Sequence, residues 1–264
     1  MTVGGLPAAL SAPGAPVRTM LEQARPCQTQ AMASEPASER ERRRRALRSA
    51  RLYLICPCEL GPERRALPEL LSALIEAGVD VVQLRDKEAA DERLLAVARQ
   101  AAAAARGAGA LLVINDRPEL ALAAGADGVH LGQDDLPVSE ARRIGGADLV
   151  VGLSTHTPAQ VDEVGGADYI GVGPVHATPT KPGRPGVGLG LVSHAARVAS
   201  CPWFAIGGID AANVGAVLGA GARRVAVVRA IAAAPDPVAA ARALRTAIDQ
   251  SSAHGTPAQP AARA

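Results

Sequence analysis

Aromatic side chains are nearly missing from this 264-residue chain, which has one Trp, two Tyr and one Phe. Proteins that hold single-stranded nucleic acid stack its bases on aromatic rings, and so few rings cannot line such a groove. An excess of one charge is missing too. The formal net charge is +2, and residues 1–45 carry 7 basic against 4 acidic side chains, so the rest is near neutral. A near-neutral body has no electrostatic footprint for nucleic acid. No run of about 18 apolar residues occurs, so no membrane-spanning helix is expected. Cysteine is scarce: Cys27, Cys56, Cys58 and Cys201. Cys56-Pro57-Cys58 looks like half of a metal site, but no second Cys/His cluster completes it. Free thiols in a reducing, cytoplasmic setting are the expectation.

The first 45 residues also lack a sustained apolar period. They are rich in Ala, Pro, Ser and Gly and end in "ERERRRR", Glu39 to Arg45. A secretory signal puts its charges ahead of an apolar stretch, whereas here they follow. Residues 1–47 therefore read as a disordered tail with a solvated arginine run, and 251–264 as a second tail.

What remains, residues 48–250, reads as one α/β domain. Hydrophobic residues make up 48% of the chain, enough for a large aliphatic core. Short apolar runs alternate with helical patterns. The strand candidates are Leu52–Cys56, Val79–Leu84, Ala110–Ile114, Gly128–Leu131, Leu149–Leu153, Tyr169–Val172, Trp203–Ile206 and Arg224–Val228. Helical patterns cover Glu63–Ala77, Asp91–Gly107, Pro158–Val164, Ala211–Gly219 and Pro237–Ile248. Strands of about five apolar residues, each followed by a helix, predict a parallel sheet covered on its outer face. A motif recurs where helices end and strands begin: "EAGVDVV", "AAGADGV", "GGADYI" and "GAGARRV". Its glycine closes the helix in the left-handed conformation. Eight such units predict a single (β/α)8 TIM barrel. A doubly wound open sheet would need a Gly-rich turn after the first strand, which is absent.

In such a barrel the chemistry lies where strands end. Those ends are the polar positions of this sequence: Gln83 to Lys87, Asn115-Asp116, His130 with Gln133 to Asp135, Ser154-Thr155-His156, Gly207-Gly208, and Val228-Arg229. The sixth strand opens into "GPVHATPTKPGRPGVG", Gly173 to Gly188. Arg85 and Lys87 are suited to a polyphosphate, whose oxygens take guanidinium and ammonium donors. Asp116 and Asp135 would suit Mg2+, which takes one or two carboxylates and completes its shell with water and substrate phosphate. The alternative for Asp116 is a helix cap before Pro118. Thr178, Thr180 and Lys181 offer further anion ligands on a proline-stiffened loop, and Gly207-Gly208 with the eighth strand end fits a monophosphate. Two anions at one mouth point to a transferase that releases diphosphate while a phosphorylated nucleophile attacks.

These residues resemble the thiamine phosphate synthase family over about residues 50–248. "VQLRDK", "INDRPELALAAGADGVHLGQDD", "GLSTHT", "GPVHATPTK" and "FAIGGI" stand in the family's order and spacing. The resemblance implies joining 4-amino-2-methyl-5-hydroxymethylpyrimidine diphosphate to a thiazole phosphate, or its carboxylated form. It implies that Gln83, Leu84, Arg85, Asp86, Lys87, Asn115, Ser154 and Lys181 bind the pyrimidine diphosphate, with Arg85, Lys87, Ser154 and Lys181 catalytic. Thr178, Pro179, Thr180, Gly208, Val228 and Arg229 would contact the thiazole phosphate, and Asp116 and Asp135 would hold Mg2+. Arg229 stands where many relatives have Ser, and His176 where an aromatic is common. A thiazole tautomerase on the same scaffold is the alternative, but those relatives lack the acids and place a histidine at the position of Pro174. A non-catalytic barrel that senses thiamine precursors would have lost charged ligands at the mouth, and none is lost. The expected partners are small molecules, not nucleic acid or membrane, and self-association is left open.

Overall fold

The computed structural model describes residues 38–178 and 185–254. Helix α1 (Glu39–Ser49) leads into β1 (Leu52–Cys56). A short hairpin, β2 (Glu59–Leu60) with β3 (Arg65–Ala66), precedes α2 (Leu67–Glu76). Strands and helices then alternate: β4 (Val81–Leu84), α3 (Asp91–Gly107), β5 (Leu111–Asn115), α4 (Pro118–Ala124), β6 (Gly128–Leu131) and α5 (Val138–Gly145). They continue as β7 (Val150–Thr155), α6 (Pro158–Asp162), β8 (Tyr169–Val172), α7 (Gly188–Val198), β9 (Trp203–Ile206) and α8 (Val214–Gly219). The chain then forms β10 (Val225–Val227), α9 (Arg229–Ala232) and α10 (Pro237–His254).

The parallel strands β1, β4, β5, β6, β7, β8, β9 and β10 pair in that order, and β10 closes onto β1. Closure gives the eight-stranded barrel expected from the sequence and rules out the open sheet. Two helix starts differ from the periodicity. Helix α2 begins at Leu67 rather than Glu63, because residues 59–66 form the hairpin and Pro68 fits only a first helical turn. Helix α8 begins at Val214 because the Asp210 carboxylate accepts from the Ala212 and Asn213 N–H groups and holds a turn there. At the other end, α10 continues to His254, beyond the expected boundary at 250.

Alternating strand residues face two cores. One face packs against the helices with Leu54, Leu84, Leu112, Ile114, Val129 and Ile170 among its members. The other fills the barrel with Tyr53, Ile55, Val81, Leu111, Val113, Val150, Tyr169, Phe204 and Ala226. Three of the four aromatic residues thus stand on the barrel axis. The rings of Tyr53 and Tyr169 meet Phe204 edge-on at 5.1 and 5.8 Å. Gly152 leaves the space for them, since a Cβ there would lie 2.1 Å from Cζ of Tyr169.

The arginine run is not a solvated tail, and residues 39–47 are corrected from tail to helix. Ser38 and Glu41 form a reciprocal capping box at the start of α1. Leu47 and Ala50 are buried and plug the base of the barrel interior. Arg42 and Arg43 both bond the Asp127 carboxylate, and Arg44 bonds Asp168 at 3.0 Å. These acids are the Asp of the recurring motif. Each accepts a backbone N–H at the start of the preceding strand, from its first or second residue: Asp80 from Leu52, Asp127 from Leu112, and Asp168 from Val151. Each returns its own N–H to the same residue's carbonyl. The repeat is a strand clamp, and the arginines neutralise charge that the clamp buries.

Candidate active site

The opposite end of the barrel is a mouth with two adjoining compartments. One, of about 790 Å³, is lined by Gln83, Arg85, Lys87, Asn115, Asp116, His130 and Asp135. The other, of about 430 Å³, is lined by Thr178, Gly207, Gly208, Val228 and Arg229. Ser154, His156, Ile206 and Val228 border both, so ligands in the two would be neighbours.

In the larger compartment Asp135 lies near enough to Asp116 to disfavour its ionisation. Partial burial, then the proximity of Asp135, push the Asp116 pKa from an ordinary 3.8 up to about 6, against the pull of Lys87 and Arg85. Asp116 does not cap α4: the cap position is Arg117, and it has no side-chain cap bond. Its backbone is instead left-handed, with φ 62°, which turns the chain at the end of β5. Asp135 accepts the Gly132 N–H at 2.6 Å, and a Cβ on Gly132 would lie 2.7 Å from that same oxygen. Two neighbouring carboxylates at one mouth are a donor set that fits Mg2+. Among the described residues no cluster of three or more His, Cys, Asp or Glu forms a metal site, which leaves the remaining positions to water and substrate.

Arg85 and Lys87 make no ion pair among the described residues, although Asp86 and Glu88 are adjacent in sequence. The Asp86 carboxylate is used within the protein, accepting from the N–H groups of Cys58, Glu88 and Ala89. Burial works against its ionisation, but these bonds prevail and hold its pKa below the ordinary value. Leu84 is fully buried in the barrel–helix layer. At the end of β4, Arg85 and Lys87 therefore offer polar side chains to the mouth, Gln83 lies buried at its floor, and Leu84 and Asp86 support the backbone between them.

Ser154 Oγ lies 3.0 Å from His130 Nε2, and Asn115 Oδ1 accepts from Gln83 at 2.7 Å. In the smaller compartment, Gly207 and Gly208 adopt positive φ of 108° and 60°. Added Cβ atoms would meet Pro174 at 2.4 Å and His176 at 2.8 Å, so only glycine admits the loop after β8. Asn213 Nδ2 holds this turn through the Gly208 carbonyl at 2.7 Å. Pro179, Thr180 and Lys181 lie outside the described residues.

Residues 52–231 match the family model described as thiamine monophosphate synthase. The chain belongs to that family. A thiamine-phosphate synthase of Mycobacterium sp. (strain KMS) is 53% identical over 77% of this chain and 94% of its own. One from Acidothermus cellulolyticus is 55% identical over 74% of this chain and 93% of its own. Among solved structures, a thiamine phosphate pyrophosphorylase from Pyrococcus furiosus superposes with a TM-score of 0.69 at 31% identity, covering 79% of this chain and 98% of that one.

The departures from the thiamine phosphate synthase pattern have structural settings. Arg229 is exposed at the start of α9, on the rim of the smaller compartment. His176 packs its Cβ over Gly208 and donates its backbone N–H to Gly207 at 2.9 Å. Sequence reasoning missed Tyr53, Tyr169 and the hold of Asn213 on the Gly208 turn. The two tyrosines sit inside apolar runs, where nothing local distinguishes a core phenol from one that serves a site. Cys56 and Cys58 are buried with thiol pKa values raised by burial, that of Cys58 to about 11, and neither is a nucleophile. No helix among the described residues is long and apolar enough to cross a membrane.

Proposed function

We propose that this barrel is a thiamine phosphate synthase that condenses 4-amino-2-methyl-5-hydroxymethylpyrimidine diphosphate with a thiazole phosphate, releasing diphosphate. The observation that supports it most is the Asp116–Asp135 pair, beside Arg85 and Lys87, which make no ion pair among the described residues, in one of two adjoining compartments. The pyrimidine would lie over Gln83, Asn115 and Ser154 with its diphosphate toward Arg85, Lys87 and Lys181. The thiazole phosphate would sit at Gly207-Gly208 and Val228-Arg229, near Thr178, Pro179 and Thr180.

The carbon–oxygen bond to diphosphate breaks with its electron pair on the leaving oxygen. Arg85 and Lys87 meet that growing charge with positioned donors, and Lys181, which lies outside the described residues, is assigned to the same task from the sequence. Bound at Asp116 and Asp135, Mg2+ would supply Lewis-acid neutralisation of the diphosphate. The thiazole nitrogen then donates its lone pair to the pyrimidine methylene carbon, forming the new carbon–nitrogen bond. Ser154, His156, Ile206 and Val228 border both compartments, which supports a reading in which the two reacting centres are neighbours. The reaction needs no covalent intermediate on the protein, in keeping with the burial of Cys56 and Cys58.

Incubation of the purified protein with both substrates and Mg2+ is the test. Equal yields of thiamine phosphate and diphosphate are expected, with neither formed when one substrate is left out. Conversion of a thiazole substrate alone would make it the tautomerase instead.

A further inference from the structure

Beneath the larger compartment the polar side chains form one unbroken line. Gln83 Nε2 donates to Asn115 Oδ1 at 2.7 Å, and Gln83 Oε1 lies 3.1 Å from the Tyr53 hydroxyl. The Tyr53 and Tyr169 hydroxyls are 2.8 Å apart. Tyr169 is 3.1 Å from His130 Nδ1, and His130 Nε2 is 3.0 Å from Ser154 Oγ. The line runs from β5 through β4, β1, β8 and β6 to β7. Asn115 and Ser154, its ends, line the mouth, while Gln83, Tyr53 and Tyr169 between them are buried.

Burial fixes the protons of the two phenols in the line. It raises the pKa of both phenols, so each keeps one proton and can donate once. The direction then follows link by link. The Gln83 amide gives an N–H to Asn115, so its Oε1 accepts from Tyr53. Having given its proton, Tyr53 accepts from Tyr169, and Tyr169 in turn accepts from His130 Nδ1–H. A neutral imidazole protonated at Nδ1 has a bare Nε2. That nitrogen accepts the proton of Ser154.

We propose that His130 is a positioning residue that sets the polarity of Ser154 and thereby makes the mouth select an amino-substituted heterocycle. The inference rests on the reading of this compartment as the pyrimidine site. With its proton turned to His130, Ser154 shows the mouth lone pairs and accepts from a ligand N–H. At the other end Asn115, whose Oδ1 is engaged, shows its Nδ2 hydrogens. An aminopyrimidine meets both needs, with a donating exocyclic amine and accepting ring nitrogens. A 4-oxo analogue would turn a carbonyl lone pair toward the lone pairs of Ser154. Polar mismatches of this kind discriminate strongly, because the site's group is left unpaired.

Two measurements test this. In 15N NMR of the labelled wild-type protein, the His130 signal, identified by its loss in His130→Gln, should show the Nδ1–H tautomer. An Nε2–H tautomer would overturn the proposal. The second measurement compares kcat/KM for the 4-amino and 4-oxo pyrimidine diphosphates in wild type and Tyr169→Phe. Removing the phenol takes away the acceptor that Tyr169 offers His130 Nδ1–H, so this link no longer fixes the tautomer and the Ser154 proton can swing into the mouth. The amino preference should fall by roughly tenfold or more, the worth of one polar contact, with KM for the thiazole phosphate unchanged. A merely structural role would leave the preference intact or weaken both substrates alike, and either result sinks the proposal. If wild type makes no product from any pyrimidine, the functional reading fails, while the tautomer still decides the polarity.

Discussion

Arg43 and Asp127 are 84 positions apart in sequence, yet Nε of one lies 3.1 Å from Oδ1 of the other under the closed end of the barrel. The Asp127 side chain is only 3% exposed and also accepts the Leu112 N–H. This contact ties a helix ahead of the barrel to its strands. Removing one partner of a buried ion pair costs more than the pair contributes, because the other charge is stranded.

Helix α1 should therefore be needed for stability. Leu47→Ala should cost about 2–4 kcal/mol, the usual range for a buried leucine. The melting temperature should fall by roughly 5–10 °C in a domain of this size. A chain starting at Ser38 should melt well above one starting at Arg51. Equal melting temperatures for these two truncations would show that the helix is dispensable.

Asp116→Asn keeps the shape of the side chain, and Asn tolerates the left-handed backbone at this position. The fold should survive and the metal-free protein should melt no lower than wild type. Turnover should fall on the order of a hundredfold, since metal stabilisation of a leaving group is worth several kcal/mol. Full turnover by the variant, measured as diphosphate release, would remove Asp116 from the metal site.

The raised Asp116 pKa also predicts a pH dependence. The folded protein holds this proton more tightly than the unfolded chain, so stability is fully present below the ordinary 3.8 and declines as pH rises through about 6. In chelator, the melting temperature of wild type should drop relative to Asp116→Asn between pH 5 and pH 7.5. Mg2+ at pH 7.5 should recover wild type by binding only the folded state, and leave the variant where it was. Parallel pH profiles for the two proteins would contradict a raised Asp116 pKa.

Gly208→Ala should act on the other substrate. Its φ of 60° and a Cβ contact of 2.8 Å with His176 leave no room for a methyl group. The turn must shift, and KM for the thiazole phosphate should rise at least tenfold while KM for the pyrimidine diphosphate holds. A rise in both, or in neither, would separate this turn from the phosphate.

Much of the fold was legible because alternation and helix stops are local signals. Leu52–Cys56 and Gly128–Leu131 keep their sequence bounds, and the glycines before Asp80, Asp127 and Asp168 mark where helices stop. The arginines of α1 were not legible in this way. Their partners lie 84 or more positions away, and a charged run with such distant acids looks like a solvated tail until the barrel closes. A nearer signal was overlooked: Ser38 with Glu41 three residues on is a capping box, and it marks a helix start. At the mouth, Arg85, Lys87, Asp116 and Asp135 were visible from their places at strand ends. The Tyr53–Tyr169 link was not, because whether a strand tyrosine packs or relays depends on which strands close against one another.

The most direct test of the account is diphosphate release by the wild-type protein with both substrates, in Mg2+ and in an excess of chelator. The account predicts thiamine phosphate and diphosphate in equal amounts with Mg2+, and a rate at least a hundredfold lower in chelator that returns when the metal is added back. Turnover at the same rate in chelator would contradict the metal role of Asp116 and Asp135. Absence of product in every condition would contradict the synthase reading itself.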